Sequence, residues 1–384
     1  MKGTKGQFIP DGSSNLPTQP GHYAGEVVYI FAFDIAYEMS PQPVASLLGV
    51  PVEPLRFDAD RRTPKHPSFY QPQMVRLPAE ARRGPHGSVL LQRVIKLLPL
   101  GAISITVRVP FTVQHLEDLV VYHDLQLDQG SLNDEVCNLA EAIRKELAAS
   151  CVRPVDRMHD EEAYTVFCFD APLATSGGQP INAEDWLREH RRDVAALLTQ
   201  ESNVDDLSRQ EADESTSRHL SYYQNDLVVI DWDAALIVDE KPDVDEALYI
   251  MELANLQLAE LEAYDRLIDA SLDRAYRDLR QRSYRSSMAT LEGLREIRID
   301  LARLRDELEN ITKFFGDWHL ARVYEAIAAR FHLSDWHRTL DEKLKTLDGL
   351  YEILKHDQNN RWMLVLEATI VLLFIIDLAM LFWK

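Results

Sequence analysis

The most constraining feature of this 384-residue chain is an apolar segment near its C-terminus. Residues 362–383 read WMLVLEATIVLLFIIDLAMLFW, and only Glu367 and Asp377 interrupt the apolar run. A helix of this length extends about 33 Å, while the hydrocarbon core of a bilayer is roughly 30 Å thick. The residue types that anchor a helix at a membrane interface flank the run, at Arg361, Trp362 and Trp383. The segment therefore predicts one transmembrane helix.

The two acids inside this segment predict contact between helices. Glu367, Ile370, Phe374 and Asp377 follow a 3-4-3 spacing, which places them near one seam of a packed helix. Ionisable residues within a membrane usually face a protein interior or a wet cavity. We therefore expect several copies to associate, with the acids protonated or hydrogen-bonded. The alternative is an ion channel or transporter subunit that uses Glu367 and Asp377.

Basic residues predict the orientation. Lys343, Lys345, Lys355 and Arg361 precede the apolar segment, and only Lys384 follows it. Loops rich in lysine and arginine stay on the cytoplasmic side, so we expect a single-pass protein with its N-terminal body in the cytoplasm. Residues 1–22 lack the apolar core of a signal peptide and are expected to form a disordered tail. The expected location is the bacterial inner membrane.

The charge balance excludes one class of partner. The chain carries 62 acidic against 41 lysine and arginine residues, a net charge of −21, and nucleic-acid binding needs a basic surface. Residues 201–246 alone contain 14 acids and three basic residues, a net of −11. Such a run is typical of a solvated linker, so we predict an acidic linker near 201–246. The expected partners are a membrane, further copies of this chain and another protein.

Hydrophobic patterning predicts a mixed α/β domain over residues 23–242. β-branched and aromatic runs indicate strands at 25–36, 87–97, 101–109 and 163–170, and a hairpin at 227–238. Helices are predicted at 41–48, 112–122, 131–149 and 183–199, the last two with Ser131 and Asn182 as N-caps. Strands and helices therefore alternate along this part of the chain.

No motif in this domain carries recognisable chemistry. Phosphate-binding, dinucleotide-binding, zinc-protease and serine-hydrolase motifs are all absent from the sequence. Three Asp-x-Asp pairs begin at Asp58, Asp231 and Asp243, and the last two suit a hairpin turn and a helix start. We expect no catalytic, cofactor-binding or metal site, and hence a non-enzymatic protein. The alternative is an enzyme with an unrecognised site in the α/β domain.

The composition becomes helical after residue 242. Residues 243–333 predict a helical hairpin or coiled-coil region, and 334–361 a juxtamembrane helix, capped by Ser334, that continues into the apolar segment. The coiled-coil seam alternates steps of three and four residues, as knobs-into-holes packing requires. Its members are Leu294, Ile297, Leu301, Leu304, Leu308, Ile311 and Phe315. An intramolecular hairpin and an intermolecular coiled coil fit this seam equally well.

The C-terminal part resembles the family named "required for meiotic nuclear division". The resemblance rests on residues 318–354 and 366–378, including Lys343-Leu344, the Leu347/Leu350 pair, Leu366-Glu367 and Ile370-Val371. It implies a membrane-anchored homo-oligomer, a scaffold in organelle relatives that support translation, and it implies no reaction.

The expected fold class is thus α+β: a mixed α/β domain, then helices, then one transmembrane helix. The expected function is a C-terminally anchored protein that homo-oligomerises through its helices and recruits cytoplasmic partners.

Overall fold

The computed structural model describes most of the chain, with several gaps. The described residues are 22–40, 42, 44–54, 73–98, 101–155, 158, 161–173, 179–281, 299 and 318–382. The predicted disordered tail, except for His22, lies outside these ranges, as do Asp58, Trp383 and all seven residues of the predicted coiled-coil seam.

The described part of the chain contains one large mixed sheet. Its strands are β1 (Tyr23–Asp34), β5 (Glu53–Pro54), β6 (Gln73–Arg76), β7 (Glu80–Gly84), β8 (Gly87–Leu97), β9 (Ala102–Val113), β13 (Glu162–Asp170), β14 (His219–Leu220), β15 (Leu227–Ile230) and β16 (Ala234–Asp239). Their order is β14-β15-β16-β13-β1-β9-β8-β6-β5, and β7 also pairs with β8. Neighbouring strands are antiparallel, except for the parallel pair β13 and β16.

Short strand pairs and helices complete the described fold. The pairs are β2 (Ala36–Met39) with β12 (Cys151–Pro154), β3 (Ser46–Leu47) with β4 (Val50–Pro51), and β10 (Gln126–Leu127) with β11 (Gly130–Ser131). The α-helices are α1 (Leu132–Leu147), α2 (Ala183–Glu189), α3 (Arg191–Leu198), α4 (Arg209–Ser215), α5 (Lys241–Gln281), α6 (Trp318–Arg330) and α7 (Leu333–Phe382). Three 3-10 helices lie at Leu116–Tyr122, Ala148–Ser150 and Val204–Asp206.

The central strand β1 is buried on both faces because its apolar residues are consecutive. Successive side chains of a strand point to opposite faces. Val27 and Tyr29 therefore enter one core, which α1, α2 and α3 cover, while Val28 and Ile30 enter a second core. Residues of α5, α6 and α7 cover that second core. The sheet thus lies between two helical layers, and the expectation of a mixed α/β N-terminal domain followed by helices is confirmed.

Most predicted elements form close to their expected positions. Ser131 caps α1 by accepting a hydrogen bond from the Asp134 amide at 3.1 Å, and Asn182 caps α2 through the Glu184 amide at 2.9 Å. The predicted helix at 183–199 is interrupted at His190, so that it forms α2 and α3. The predicted helix at 112–122 is replaced by the end of β9 and a 3-10 helix.

Two predictions within the N-terminal domain are wrong. Instead of a helix at 41–48, the described residues contain the short strand β3 and a turn, in which Leu48 and Gly49 have φ of 53° and 74°. The acidic run at 201–246 is not a linker, because it contains α4, three strands of the large sheet and the start of α5. Its apolar residues at 227–230 and 234–238 are buried in the sheet, and this burial outweighs the high local charge.

The final helix is continuous, as predicted, but its start and its membrane role differ from expectation. α7 begins at Leu333, so Ser334 lies inside the helix and is not its N-cap. Within the described ranges, no helix has both the length and the apolarity that a membrane crossing requires. The transmembrane helix predicted at 362–383 is therefore unsupported.

Candidate functional site

The end of α7 carries a large exposed apolar surface. Nearer its start, Leu340, Leu344 and Leu347 are buried against the second core. From Trp362 onward, the large apolar side chains that the structure describes are 47–73% exposed. These fourteen residues, here called the terminal segment, are Trp362, Met363, Leu364, Val365, Leu366, Ile370, Val371, Leu372, Leu373, Phe374, Ile375, Ile376, Leu378 and Met380. Exposed apolar patches of this size mark interaction surfaces.

The predicted membrane seam lies within this surface. Ile370 and Phe374 are 56% and 73% exposed, and Glu367 and Asp377 are exposed as well. Trp362, predicted as an interface anchor, is 66% exposed, and Arg361 belongs to the same helix. The structure therefore places the four seam residues on one exposed helix and brings none of them into a core.

A second candidate site lies where α5 crosses the ends of β1 and β13. Asp34 is the last residue of β1, and Glu162, the first residue of β13, pairs with Ala32 in the sheet. Glu262 and Arg266 lie one turn apart on α5, and the Arg266 Nη1 is 3.5 Å from the Glu262 Oε2. We call Asp34, Glu162, Glu262 and Arg266 the carboxyl cluster.

Contacts of α5 with the sheet bring the cluster together. The Glu262 carboxyl on α5 lies close enough to Glu162 to raise the pKa of the Glu162 carboxyl. The Asn255 side chain on α5 donates a hydrogen bond to the Glu162 carbonyl oxygen at 2.9 Å, and this bond joins α5 to the backbone of β13. The Arg266 Nε is buried and has no hydrogen-bond partner among the described residues.

The environment of the cluster favours protonated carboxyl groups. Burial, together with the neighbouring Glu262 carboxyl, raises the pKa of Glu162 to about 8, and Arg266 opposes this rise. Burial raises the pKa of Asp34 to about 6, again opposed by Arg266. Groups that titrate near neutral pH often cluster at functional sites. The cluster can therefore bind and release a proton in the physiological range.

A neighbouring buried ion pair fixes the first half of α5 to the sheet. The Lys96 ammonium on β8 contacts the Glu252 carboxylate, which also accepts a hydrogen bond from the Ser104 hydroxyl at 2.5 Å. Glu252 is only 3% exposed. The Lys96 ammonium also lies 5.4 Å from the centre of the Tyr249 ring. This pair attaches the helix about three turns before the carboxyl cluster.

The two described Asp-x-Asp pairs have structural partners. The buried Asp231 contacts Arg330 on α6 and accepts a hydrogen bond from the Trp232 amide at 2.9 Å. Asp245 lies 2.6 Å from the Arg108 guanidinium. Across the described ranges, no group of three histidine, cysteine or acidic residues is arranged to hold a metal ion.

Sequence reasoning missed the carboxyl cluster because its members are far apart in the chain. They lie at positions 34, 162, 262 and 266, on two strands and one helix. Only Asp34 carries a local signal, since it is an acid at the end of a buried apolar strand. The burial that raises its pKa, and the Arg266 charge that opposes this rise, come from the fold alone.

The fold and the sites define an α/β protein whose mixed sheet is covered by helices on both faces, with titratable acids where the sheet meets the second helical layer. The chain belongs to the family described as "Uncharacterized protein MJ0711, N-terminal domain", whose model matches residues 24–245. It is similar to the Uncharacterized protein MJ0711 of Methanocaldococcus jannaschii, with 23% identity over 220 residues. The match covers 57% of this chain and 65% of that relative, less than two thirds of its length.

The matched range contains the large sheet and the first helical layer, and it ends at the start of α5. Asp34 and Glu162 therefore lie inside the family domain, while Glu262, Arg266 and the terminal segment lie outside it. The family to which residues 318–378 show a resemblance is not shown by these comparisons. A search of solved structures found no match.

Proposed function

We propose that this protein is a homo-oligomeric scaffold whose copies associate through the terminal segment of α7, so that each copy presents its α/β domain to a protein partner. The observation that carries the proposal is the exposure of fourteen large apolar residues on one helix. A helix that is apolar on all sides is normally covered on all sides.

The apolar area is sufficient for association. Full burial of a leucine, isoleucine or phenylalanine side chain contributes about 1.5–3 kcal/mol, so covering a side chain that is more than half exposed contributes about 1 kcal/mol or more. If half of the fourteen residues are covered, each copy contributes roughly 7 kcal/mol, and a pair roughly 14 kcal/mol. Association costs roughly 4–15 kcal/mol. The net free energy of forming a pair is therefore near zero or favourable, and each further copy buries more apolar surface.

The acids set the chemistry of the proposed contact. Glu367 and Asp377 lie on the seam that also carries Ile370 and Phe374. Unpaired charges buried between copies are costly, so the acids at the contact are protonated or hydrogen-bonded across it. The two acids therefore limit the strength of association, whereas the apolar residues drive it.

The test is the mass of the assembly. Full-length protein in a detergent of known micelle mass, measured by light scattering after size exclusion, is expected to contain several copies. The double substitution Ile370→Glu and Phe374→Glu should reduce it to smaller species. Leu90→Glu is the matched control, since Leu90 is 41% exposed and belongs to β8 rather than to α7. It should leave the mass unchanged.

Two outcomes overturn the proposal. A monomeric full-length protein removes the basis for self-association. An assembly of unchanged mass in the double variant, together with lost flotation on phosphatidylcholine vesicles, shows that lipid and not a second copy covers the terminal segment.

A further inference from the structure

An exposed aromatic surface lies at the edge of the large sheet that β14 forms. Tyr222 and Tyr223, in the turn between β14 and β15, are 56% and 74% exposed, and their ring centres lie 4.7 Å apart. Trp318, the first residue of α6, is 72% exposed. The ring of the next residue, His319, lies 5.7 Å from the Tyr222 ring, so the turn and the start of α6 are neighbours. We call Tyr222, Tyr223 and Trp318 the aromatic surface.

The turn that carries the two tyrosines is held through its backbone. The carboxylate of Asp226, a residue that is buried, accepts hydrogen bonds from the amides of Tyr222 and Tyr223. The Ala183 amide at the start of α2 donates to the Gln224 carbonyl oxygen at 2.9 Å. The backbone is therefore fixed while both rings remain exposed to solvent. An aromatic side chain on a fixed backbone loses little conformational entropy when it binds a partner.

Acidic residues lie beside this turn because three strands end there. Asp170 ends β13 and Asp239 ends β16, and the two are partners in the parallel register. The antiparallel register of β15 on β16 places Asp226 beside Asp239 at the same end. Glu240 and Asp243 follow β16 directly, and Asp170 and Glu240 are exposed. The end of the sheet next to the tyrosines is therefore acidic.

The ionisation of Asp239 is consistent with a negative potential at this end of the sheet. Burial raises the pKa of Asp239 to about 6, the hydrogen bond from the Glu240 amide opposes the rise, and the charges of Asp243 and Asp226 add to it. Lys241 brings one positive charge to this stretch, fewer than the acids around it. Among the described residues, these acids do not converge as metal ligands would. Their excess charge therefore favours an extended cationic partner.

An aromatic surface beside excess acids suits a guanidinium group. A guanidinium is planar, stacks on an aromatic face and pairs with carboxylates, whereas an ammonium is a compact, strongly hydrated charge. The protein itself contains such an arrangement, since the Arg330 guanidinium lies 5.2 Å from the centre of the Trp232 ring and contacts Asp231.

We propose that the aromatic surface and the adjacent acids form the docking site for an arginine-rich segment of the protein partner. The arginine side chains stack on the exposed rings, and the acids at the strand ends neutralise their charge. This inference rests on the recruiting role in the proposed function, because it names the chemistry of the recruited partner. It does not require self-association through the terminal segment.

The test is fluorescence anisotropy with the full-length protein in detergent and a fluorescein-labelled peptide of alternating arginine and serine. The peptide should bind, and binding should weaken between about 0.05 M and about 0.5 M salt, since exposed charges are screened. A peptide of alternating lysine and serine should bind at least about threefold more weakly, because an ammonium stacks less well on a ring.

The aromatic surface is tested by removing its two tyrosine rings. Tyr222→Ala with Tyr223→Ala should weaken binding of the arginine peptide about tenfold, whereas Tyr222→Phe with Tyr223→Phe keeps both rings and should bind like the original protein. Tyr276→Ala is the matched control, because Tyr276 is also an exposed tyrosine but lies on α5 roughly 50 Å along the helix from its start. It should leave the dissociation constant unchanged.

The acids are tested by two variants of equal net charge. Asp170→Asn with Glu240→Gln removes two exposed charges beside the turn and should weaken binding about tenfold. Glu53→Gln with Asp273→Asn removes two exposed charges elsewhere, on β5 at the other edge of the sheet and on α5, and should have no effect. Equal losses in the two variants show attraction by the net charge of the chain and overturn the docking site.

Two further results overturn the inference, namely no binding of the arginine peptide at low salt, and equal binding by the original protein and the double alanine variant. Ile370→Glu with Phe374→Glu separates docking from self-association, because this variant should bind the peptide like the original protein. A monomeric protein that binds the peptide refutes self-association alone. An intact assembly that does not bind it refutes the docking site alone.

Discussion

Removing one member of the buried Lys96–Glu252 pair is expected to destabilise the contact between α5 and the sheet more than removing both. Lys96→Met leaves the Glu252 carboxylate, which is 3% exposed, with the Ser104 hydroxyl as its remaining partner. Glu252→Met leaves the Lys96 ammonium, whose side chain is 17% exposed. A long lysine side chain can move its charge towards water, but the buried carboxylate cannot.

The magnitudes follow from this asymmetry. Breaking a buried ion pair typically costs about 3–5 kcal/mol. We assign about 5 kcal/mol to Lys96→Met and about 3 kcal/mol to Glu252→Met. The double variant replaces both charges by apolar groups of similar length and should lie within about 1 kcal/mol of the original protein. The coupling energy between the two positions is then several kcal/mol.

The assay is urea unfolding of all four proteins, followed by far-ultraviolet circular dichroism. The urea concentration at the unfolding midpoint should shift, while the slope of the unfolding free energy against urea concentration stays constant. This combination indicates a change in stability rather than in the unfolded state. The reasoning is refuted if Glu252→Met costs as much as Lys96→Met or more, or if the double variant is as unstable as the worse single variant.

Three further predictions test the other sites. In the original protein the unfolding free energy should fall as pH rises from 5 to 8, because Glu162 loses a proton that the folded state holds more tightly. Full linkage to one proton gives a slope of about 1.4 kcal/mol per pH unit, and Glu162→Gln should reduce the slope by about half of this value, since water screens the partly exposed group. An unchanged pH profile in urea titrations contradicts the prediction. In the double variant Glu367→Gln and Asp377→Asn, the assembly should form at lower protein concentrations in sedimentation experiments, because no charged side chain then opposes burial of the contact. Weaker assembly of this variant counts against the proposed contact. Gly101→Ala should destabilise the fold by about 3 kcal/mol, since its φ is 91° and its Cβ would lie 1.9 Å from a carbonyl oxygen of β2. Gly87→Ala, with φ of 119° and open space around it, isolates the backbone strain and should cost less in thermal unfolding.

Local sequence patterns were sufficient for elements that depend on neighbouring residues. The apolar run in β1, the N-caps Ser131 and Asn182, and the hairpin of β15 and β16 each follow from residue type and spacing over a short stretch. Local sequence patterns gave a wrong prediction for the acidic run at 201–246. Charge there indicated a linker, while the apolar residues between the charges pair with β13 and complete the sheet.

The sequence by itself determined the alternation of strands and helices, the long helices after residue 242 and the apolar character of the terminal segment, because each depends on periodicity within one element. Only the tertiary structure decided that the acidic run belongs to the sheet, and that Asp34, Glu162, Glu262 and Arg266 form one titrating cluster. The physical reason is that burial and the charge of distant neighbours set the protonation of a carboxyl group. The residues on β1, on β13 and on α5 lie a hundred residues or more apart along the chain and are brought together by the packing of α5 on the sheet.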